Sequence, residues 1–512
     1  MSWRTLRLRI NEGELGSELA EHPVIRAVGG KSRMLERSET FFDTADLMLC
    51  RRGMLLTARR QGVHWVGGVW SYVGEEASKE WECGEGEGVP DWTDLKKHLP
   101  EGSLEGIKVK NLEKLFEMRR QEERWRLDFP DGTRMVVREV RWEVVEGEEG
   151  LFWREVVLEY FGGNPNRFFQ TVLSLGRHVG GVLEPLNPAS RMCVGRDSTI
   201  MKLTVWKGSV FSAGEGAFKA LSGAGESLLQ LMLDQLAPLR YGPSEVSLEA
   251  MGQLGWAVDK MRALIGLFHT LLPEKLRHDM TMELEWLAGE LEPVRAWNGV
   301  LGNVLVPMEG RFSGHQEVLG GVMEQARQQQ QGACEQVMRA ISTFRFTQLV
   351  LGFASWLIGE EGLKISLLES DPLLRERLSA SSEGVIREGL SRSHKVLSDL
   401  GRKYWRKSPG SGDVGDMLAD VEVLSHGLTL FSGVFADKKV PRYQESVAEL
   451  GRELRVLKRL ADEERLWHGL SLGQDEKVLH LFLGWQGARM EQGLMNCKRA
   501  WEVFEQSPVP FS

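Results

Sequence analysis

The sequence predicts an α+β fold: an N-terminal antiparallel β-barrel, closed or nearly so, followed by an all-α bundle. Three observations carry this. Thr5-Leu6-Arg7-Leu8-Arg9-Ile10 alternates with period two, which puts Thr5, Arg7 and Arg9 on one face. Residues 201–215 then read as a linker, with Gly208, Ser209, Ser212 and Gly214. Beyond it the period becomes helical, as in Leu228, Met232 and Leu236. The expected domains are therefore 1–200 and 216–512.

Taken in order, a helix is expected over Leu15–Val28, closed by Gly29-Gly30. Strands are expected at Thr40–Phe42, Met54–Arg60, His64–Tyr72, Lys79–Cys83, Glu117–Phe129, Arg134–Val144 and Phe152–Tyr160. Pro130-Asp131-Gly132 is a turn, since Pro fixes φ and Gly supplies φ > 0. Gly84–Gly88 reads as a loop and Pro165–His178 as a helix. Many alternating strands in succession suggest barrel closure. In the second half, Leu254, Val258, Met261, Leu264, Ile265 and Phe268 recur at helical spacing, as do Met280, Leu284, Leu287 and Leu291. A weak internal repeat joins Leu267-Phe268 before Pro273-Glu274-Lys275 to Leu430-Phe431 before Ala436-Asp437-Lys438. Two related helical halves would explain it.

Bulk properties exclude several classes. The 512 residues are 42% hydrophobic and 27% charged, ordinary values for globular domains. A formal net charge of −9 gives no global attraction to nucleic acid or an acidic membrane, so any anion site must be a local basic patch. Cys50, Cys83, Cys193, Cys334 and Cys497 show no zinc-ligand spacing and read as reduced structural thiols in a cytoplasmic protein. The N-terminal segment lacks the apolar core of a signal peptide, and no apolar run is long enough to span a bilayer.

The stretch Arg37–Arg60, RSETFFDTADLMLCRRGMLLTARR, orders Phe-Asp-Thr, a Gly and a paired-Arg strand in a way that resembles the CYTH domain. That is the fold of the triphosphate tunnel metalloenzymes. The helical half resembles a CHAD domain, an all-helical module of two four-helix halves that often follows CYTH. Leu291 to Asn298 fits that family's Gly-x-x-Arg-Asp-x-Asp segment with substitutions, and Gly484-Trp485 fits a late Gly-Trp. Together these resemblances imply the architecture of bacterial CYTH–CHAD proteins similar to inorganic triphosphatases.

The CYTH resemblance implies a tunnel in which Lys and Arg hold phosphates while inward carboxylates hold Mg²⁺ or Mn²⁺. The family's first-strand Glu-x-Glu-x-Lys falls on Thr5, Arg7 and Arg9, so both carboxylates are replaced. Its Leu-Arg-x-Arg strand becomes Leu56-Thr57-Ala58-Arg59, and the Lys of a Thr-x-Lys strand is lost at Gly68-Val69-Trp70. Glu80 and Glu82 retain a Glu-x-Glu, and Arg124-Trp125 matches a basic position. Later acids fall on Arg134 and Arg138, a Glu-x-Glu-x-Glu keeps only Glu155 and Glu159, and a terminal Ser-Lys becomes Ser190-Arg191. The implied phosphate-binding residues are Arg7, Arg9, Arg59, Arg124, Arg134, Arg138 and Arg191. The implied metal ligands are Glu80, Glu82, Glu155 and Glu159.

Three readings of these substitutions stay open: a metal-independent anion or polyphosphate pocket, a tunnel turned into a salt-bridged core or with some arginines pointing outward, and residual metal catalysis. The CHAD resemblance implies a polyphosphate groove lined by basic residues. Its positions fall near Gly252, Gly255, Asp259, Lys260 and Arg262, and near Gly415, Leu418, Asp420, Glu422 and Ser425, where acids replace several bases. Such a groove would repel polyphosphate. Arg402 to Lys407 reads as a charged helix end, and His178, His269, His426 and His480 as structural. The functional expectation is a degenerate CYTH–CHAD protein, a pseudoenzyme that binds triphosphate or polyphosphate or serves as a scaffold. The alternatives are a triphosphatase using Mg or Mn and a protein-interaction module acting through the helical domain. No nucleic acid, membrane or other cofactor is expected.

Overall fold

The structure is a computed structural model and describes residues 3–10, 18–71, 80–85, 90–99, 101–146, 151–206, 216–311, 316–358, 380–406, 412–431, 439–467 and 476–511. The expected positions Lys79, Tyr72, Leu15, Ala436 to Lys438 and most of the 201–215 linker lie outside the described residues. Two compact units divide the chain. One is Met1–Thr204 with Leu233–Ala250 and Ile341–Gly362, and the other is Val205–Met232 with Met251–Ala340 and Leu363–Ser512.

The first unit is built on β1 (Thr5–Ile10), β2 (Arg33–Asp43), β3 (Met54–Gln61), β4 (His64–Ser71), β5 (Glu80–Glu85), β6 (Glu113–Asp128), β7 (Arg134–Glu146), β8 (Phe152–Gly162) and β9 (Val182–Leu183). They form a single antiparallel sheet in the order β5-β4-β3-β2-β6-β7-β8-β1-β9. This corrects the expected barrel and triphosphate tunnel. Among the described residues β5 and β9 are edges that do not pair with each other, so the sheet is open. Alternation fixes which residues share a face, but closure needs consistent tilt and stagger plus two edges that meet. Here β9 is two residues long, and its Leu183 N–H donates instead to the Thr347 hydroxyl at 2.9 Å. A helix covering a short edge is an ordinary way to protect it.

Two short helices, α1 (Pro23–Val28) and α2 (Leu95–His98), interrupt the strands, and apolar residues divide between the two faces of the sheet. On one side α3 (Pro165–Val179) buries Phe168, Phe169, Val172 and Leu175 and packs on β1, β8 and the helix Phe344–Ile358. The turn into α3 requires glycine. Gly163 has φ of 102°, and a Cβ there would lie 2.3 Å from Thr133 Cα. Asn164 then caps the helix by accepting from Asn166 N–H at 2.9 Å. The other face carries Phe41, Leu55, Trp70, Met118, Val140, Trp142 and Val157. The helix α4 (Pro188–Arg196) packs Ala189, Met192 and Cys193 into that cluster.

The second unit is helical. Four long helices, Ala217–Asp234, Ser244–Leu267, Glu274–Val300 and Gln316–Ile341, precede four more, Ser382–Arg406, Gly412–Leu430, Val440–Trp467 and Glu476–Gln506. Only the later part of Ser244–Leu267 lies in this unit. The two phenylalanines that the expected repeat pairs touch in the core. Phe268 and Phe431, at equivalent repeat positions, meet edge to face with ring centroids 5.5 Å apart, both fully buried.

Candidate functional site

Register places the charged residues in rows across the sheet. Arg33 lies opposite Arg124, which lies opposite Arg138; Val157 and Arg7 complete the row. The next row runs Leu35, Glu122, Val140, Glu155, Arg9. On the other side of the first, Arg126, Val136, Glu159 and Thr5 align. Directly opposite residues project from the same face, so Arg7, Arg9, Arg124, Arg138, Glu155 and Glu159 share one surface.

Within this surface the deeper cations are paired. Glu155 meets Arg7 at 3.2 Å and also Arg191, which α4 carries in. Arg138, 1% exposed, pairs with Glu159. Arg9 lies 3.9 Å from Glu184, which also accepts from Tyr241 at 2.8 Å and pairs with Arg240 at 3.4 Å. Burial raises the Glu184 carboxyl, but Arg240, Arg191 and Arg9 overcome it and hold it below the ordinary range. Arg59 grips Glu80 through two bonds of 3.1 and 2.7 Å. Thus three implied metal ligands, Glu80, Glu155 and Glu159, are engaged by guanidiniums.

Glu82 belongs to a different group. Its carboxylate lies 2.8 Å from His64 Nδ1, which is 3.5 Å from Glu85. The three side chains could offer one nitrogen and two oxygens to a divalent cation on the exposed β4–β5 hairpin. Nearby, Glu39 is buried among Arg37, Arg59 and Arg120. Burial pushes its carboxyl up to about 7, against the pull of Arg120, Arg59 and Arg37.

The open end of the face is different. A cavity of about 730 Å³ is lined by Lys31, Arg33, Arg124, Arg126 and Arg134 with Leu35, Met135, Val136 and Phe161. Among the described residues no carboxylate lines it. Among the described residues only Arg126 of these cations has an ion-pair partner, Asp128 at 2.9 Å. Like charges directly opposite, as at Arg33 and Arg124, are unfavourable without an anion or water between them. Arg124 and Arg134 were expected here. Lys31, Arg33 and Arg126 were not: the strand carrying Arg33 was read as starting at Thr40, and the resemblance assigned no role to Lys31 or Arg126.

In the helical unit two adjoining cavities, about 820 and 590 Å³, share Asp259, Arg262, Ala419 and Glu422. Asp259, Asp420 and Glu422 line this groove, as the mapping had it. The mapping missed the cations that other helices bring: Arg277, Arg295, Arg392, Arg455, Lys458 and Arg459. Burial raises Glu422 to about 7, assisted by Asp259 and opposed by Arg455 and Arg262. Lys260 is buried instead, its ammonium 4.2 Å from the centre of the Trp256 ring and 3.0 Å from His426 Nδ1. Burial lowers it to about 8 and lowers His426 to about 3, so the histidine is neutral at pH 7.

Residues 228–468 match the model of the CHAD domain. No curated protein matches the sequence. Among solved structures, the chain is similar to the CHAD domain from the plant Ricinus communis, with 18% identity and a TM-score of 0.46 over 60% of this chain and 98% of that one. It is also similar to PptA from Streptomyces chartreusis, with 15% identity and a TM-score of 0.40 over 56% of this chain and 100% of that one. Among the described residues no single helix is long and apolar enough to cross a membrane.

Proposed function

We propose that the sheet unit is a CYTH-like domain that binds a phosphate-rich anion, triphosphate or polyphosphate, and holds it without hydrolysis. The observation that supports this best is the cavity lined by five cations and no carboxylate. Polyphosphates carry dense charge on oxygens that guanidiniums bind in pairs. Arg33 and Arg124, opposite each other, would share one phosphate. Lys31, Arg126 and Arg134 would take its neighbours. Hydrolysis in the CYTH manner would need carboxylates free for a metal, and Glu80, Glu155 and Glu159 are held by arginines instead.

Calorimetric titration of the full chain with tripolyphosphate in EDTA tests this. Binding is expected without metal, with no phosphate released when Mg²⁺ or Mn²⁺ is added. Arg33→Ala and Arg124→Ala should each weaken affinity about tenfold, the loss of one charge-assisted pair. Metal-dependent turnover that disappears in Glu155→Gln would overturn the proposal in favour of a triphosphatase.

A further inference from the structure

We infer that Cys50 and Cys193 form an oxidation site, at which the chain closes an intramolecular disulfide between the β2–β3 connection and α4. Their sulfurs lie 2.8 Å apart although 143 residues separate them in sequence. Both are buried, 1% and 0% exposed, in the same core cluster.

Each thiol is held in place by its own backbone. Cys50 opens the short helix Cys50–Arg52, and the Asp43 carboxylate accepts from the Leu49 and Cys50 N–H groups at 2.9 and 2.8 Å. Cys193 sits in α4, whose N-cap Asn187 accepts from Ser190 N–H at 2.8 Å. Outside this contact the two segments are joined again where Arg51 pairs with Asp197 at 2.5 Å. The two sulfurs therefore meet between two anchored segments. Cys83 lies in a different cluster, with Trp81 and Trp92.

The oxidant is a low-molecular-weight disulfide such as oxidised glutathione. One protein thiolate attacks it, forming a mixed disulfide and releasing one small thiolate. The second protein sulfur then attacks the mixed disulfide, the Cys50–Cys193 bond forms, and a second small thiolate leaves. Two protons pass from the protein thiols to the two leaving thiolates, and the small disulfide takes both electrons. The Cys193 thiol, burial and Asp43 all push the Cys50 thiol up, so exchange is slow at neutral pH. Access comes through local opening of the turn or of α4. The closed disulfide would tether the helix that brings Arg191 to Glu155.

The full chain is incubated at pH 8 with oxidised glutathione, then digested without reductant and analysed by mass spectrometry. A second arm adds about 1 M urea so that access does not limit the reaction. The expected product is a cross-linked peptide pair containing Cys50 and Cys193, lost on adding dithiothreitol. The thermal transition of the sheet unit should rise by about 10 °C, as expected for a loop this long. Cys50→Ser and Cys193→Ser should each abolish both effects, whereas Cys83→Ser should retain them. If Cys50 and Cys193 still react as thiols after the urea arm, or carry only glutathione, the inference fails.

Discussion

Glu39 is a buried carboxylate surrounded by arginines, yet burial raises it to about 7. Between pH 4.5 and 7 the folded state therefore holds a proton that the unfolded chain has released. Linkage then makes stability fall as pH rises through this window and level off above it. The total is about 3 kcal/mol. Glu39→Gln is neutral at every pH, so denaturant melts at pH 5 and pH 8 should lose this slope, and the variant should be the more stable at pH 8. An unchanged slope would mean that Glu39 is charged in the folded chain. Glu155 is the opposite case. It joins Arg7 and Arg191, so Glu155→Gln leaves buried positive charge undercompensated and should cost roughly 3–5 kcal/mol in urea denaturation. The CYTH resemblance placed Thr5 and Arg7 at positions where that family carries carboxylates. It could not show that Arg191 would reach Glu155, because that pairing depends on where α4 packs.

Elements with alternating, β-branched or aromatic residues were legible; those without were not. The strand expected at Thr40–Phe42 extends back to Arg33, through Arg33-Met34-Leu35-Glu36-Arg37-Ser38, a run poor in β-formers and exposed along its length. Pairing with β6 over this stretch, not propensity, makes it a strand. It brings Arg33 into the basic cavity, so one hidden strand segment concealed part of the site. Sheet closure was illegible for another reason. Whether the edges meet depends on how β5 and β9 end, and β9 is covered by a helix some 160 residues further on. The α4 helix depends on its cap. Asn187→Ala removes the acceptor for Ser190 N–H and should cost about 1 kcal/mol in denaturant unfolding. A neutral result would mean that Pro188 and the buried face suffice to fix the helix.

At the scale of the molecule, a net charge of −9 coexists with a cavity that gathers five cations, so anion affinity is a local property. The two units should differ in how pH affects it. The sheet cavity is lined by Arg and Lys, with no acid among its described lining residues. The groove of the helical unit has cations from several helices balanced by Asp259, Asp420 and Glu422. Burial raises Glu422 to about 7, so acidification from pH 8 to 6 removes negative charge from the groove. Tripolyphosphate binding to the wild-type chain should then be retained at both pH values. In a chain carrying Arg33→Ala and Arg124→Ala together, residual binding should be weak at pH 8 and several-fold stronger at pH 6, and Glu422→Gln should raise the pH 8 value toward the pH 6 value. The sequence mapping placed the acids of this groove but not Arg392, Arg455 or Arg459, which reach it from helices far along the chain. Residual binding that does not change with pH would place the second anion site away from Glu422.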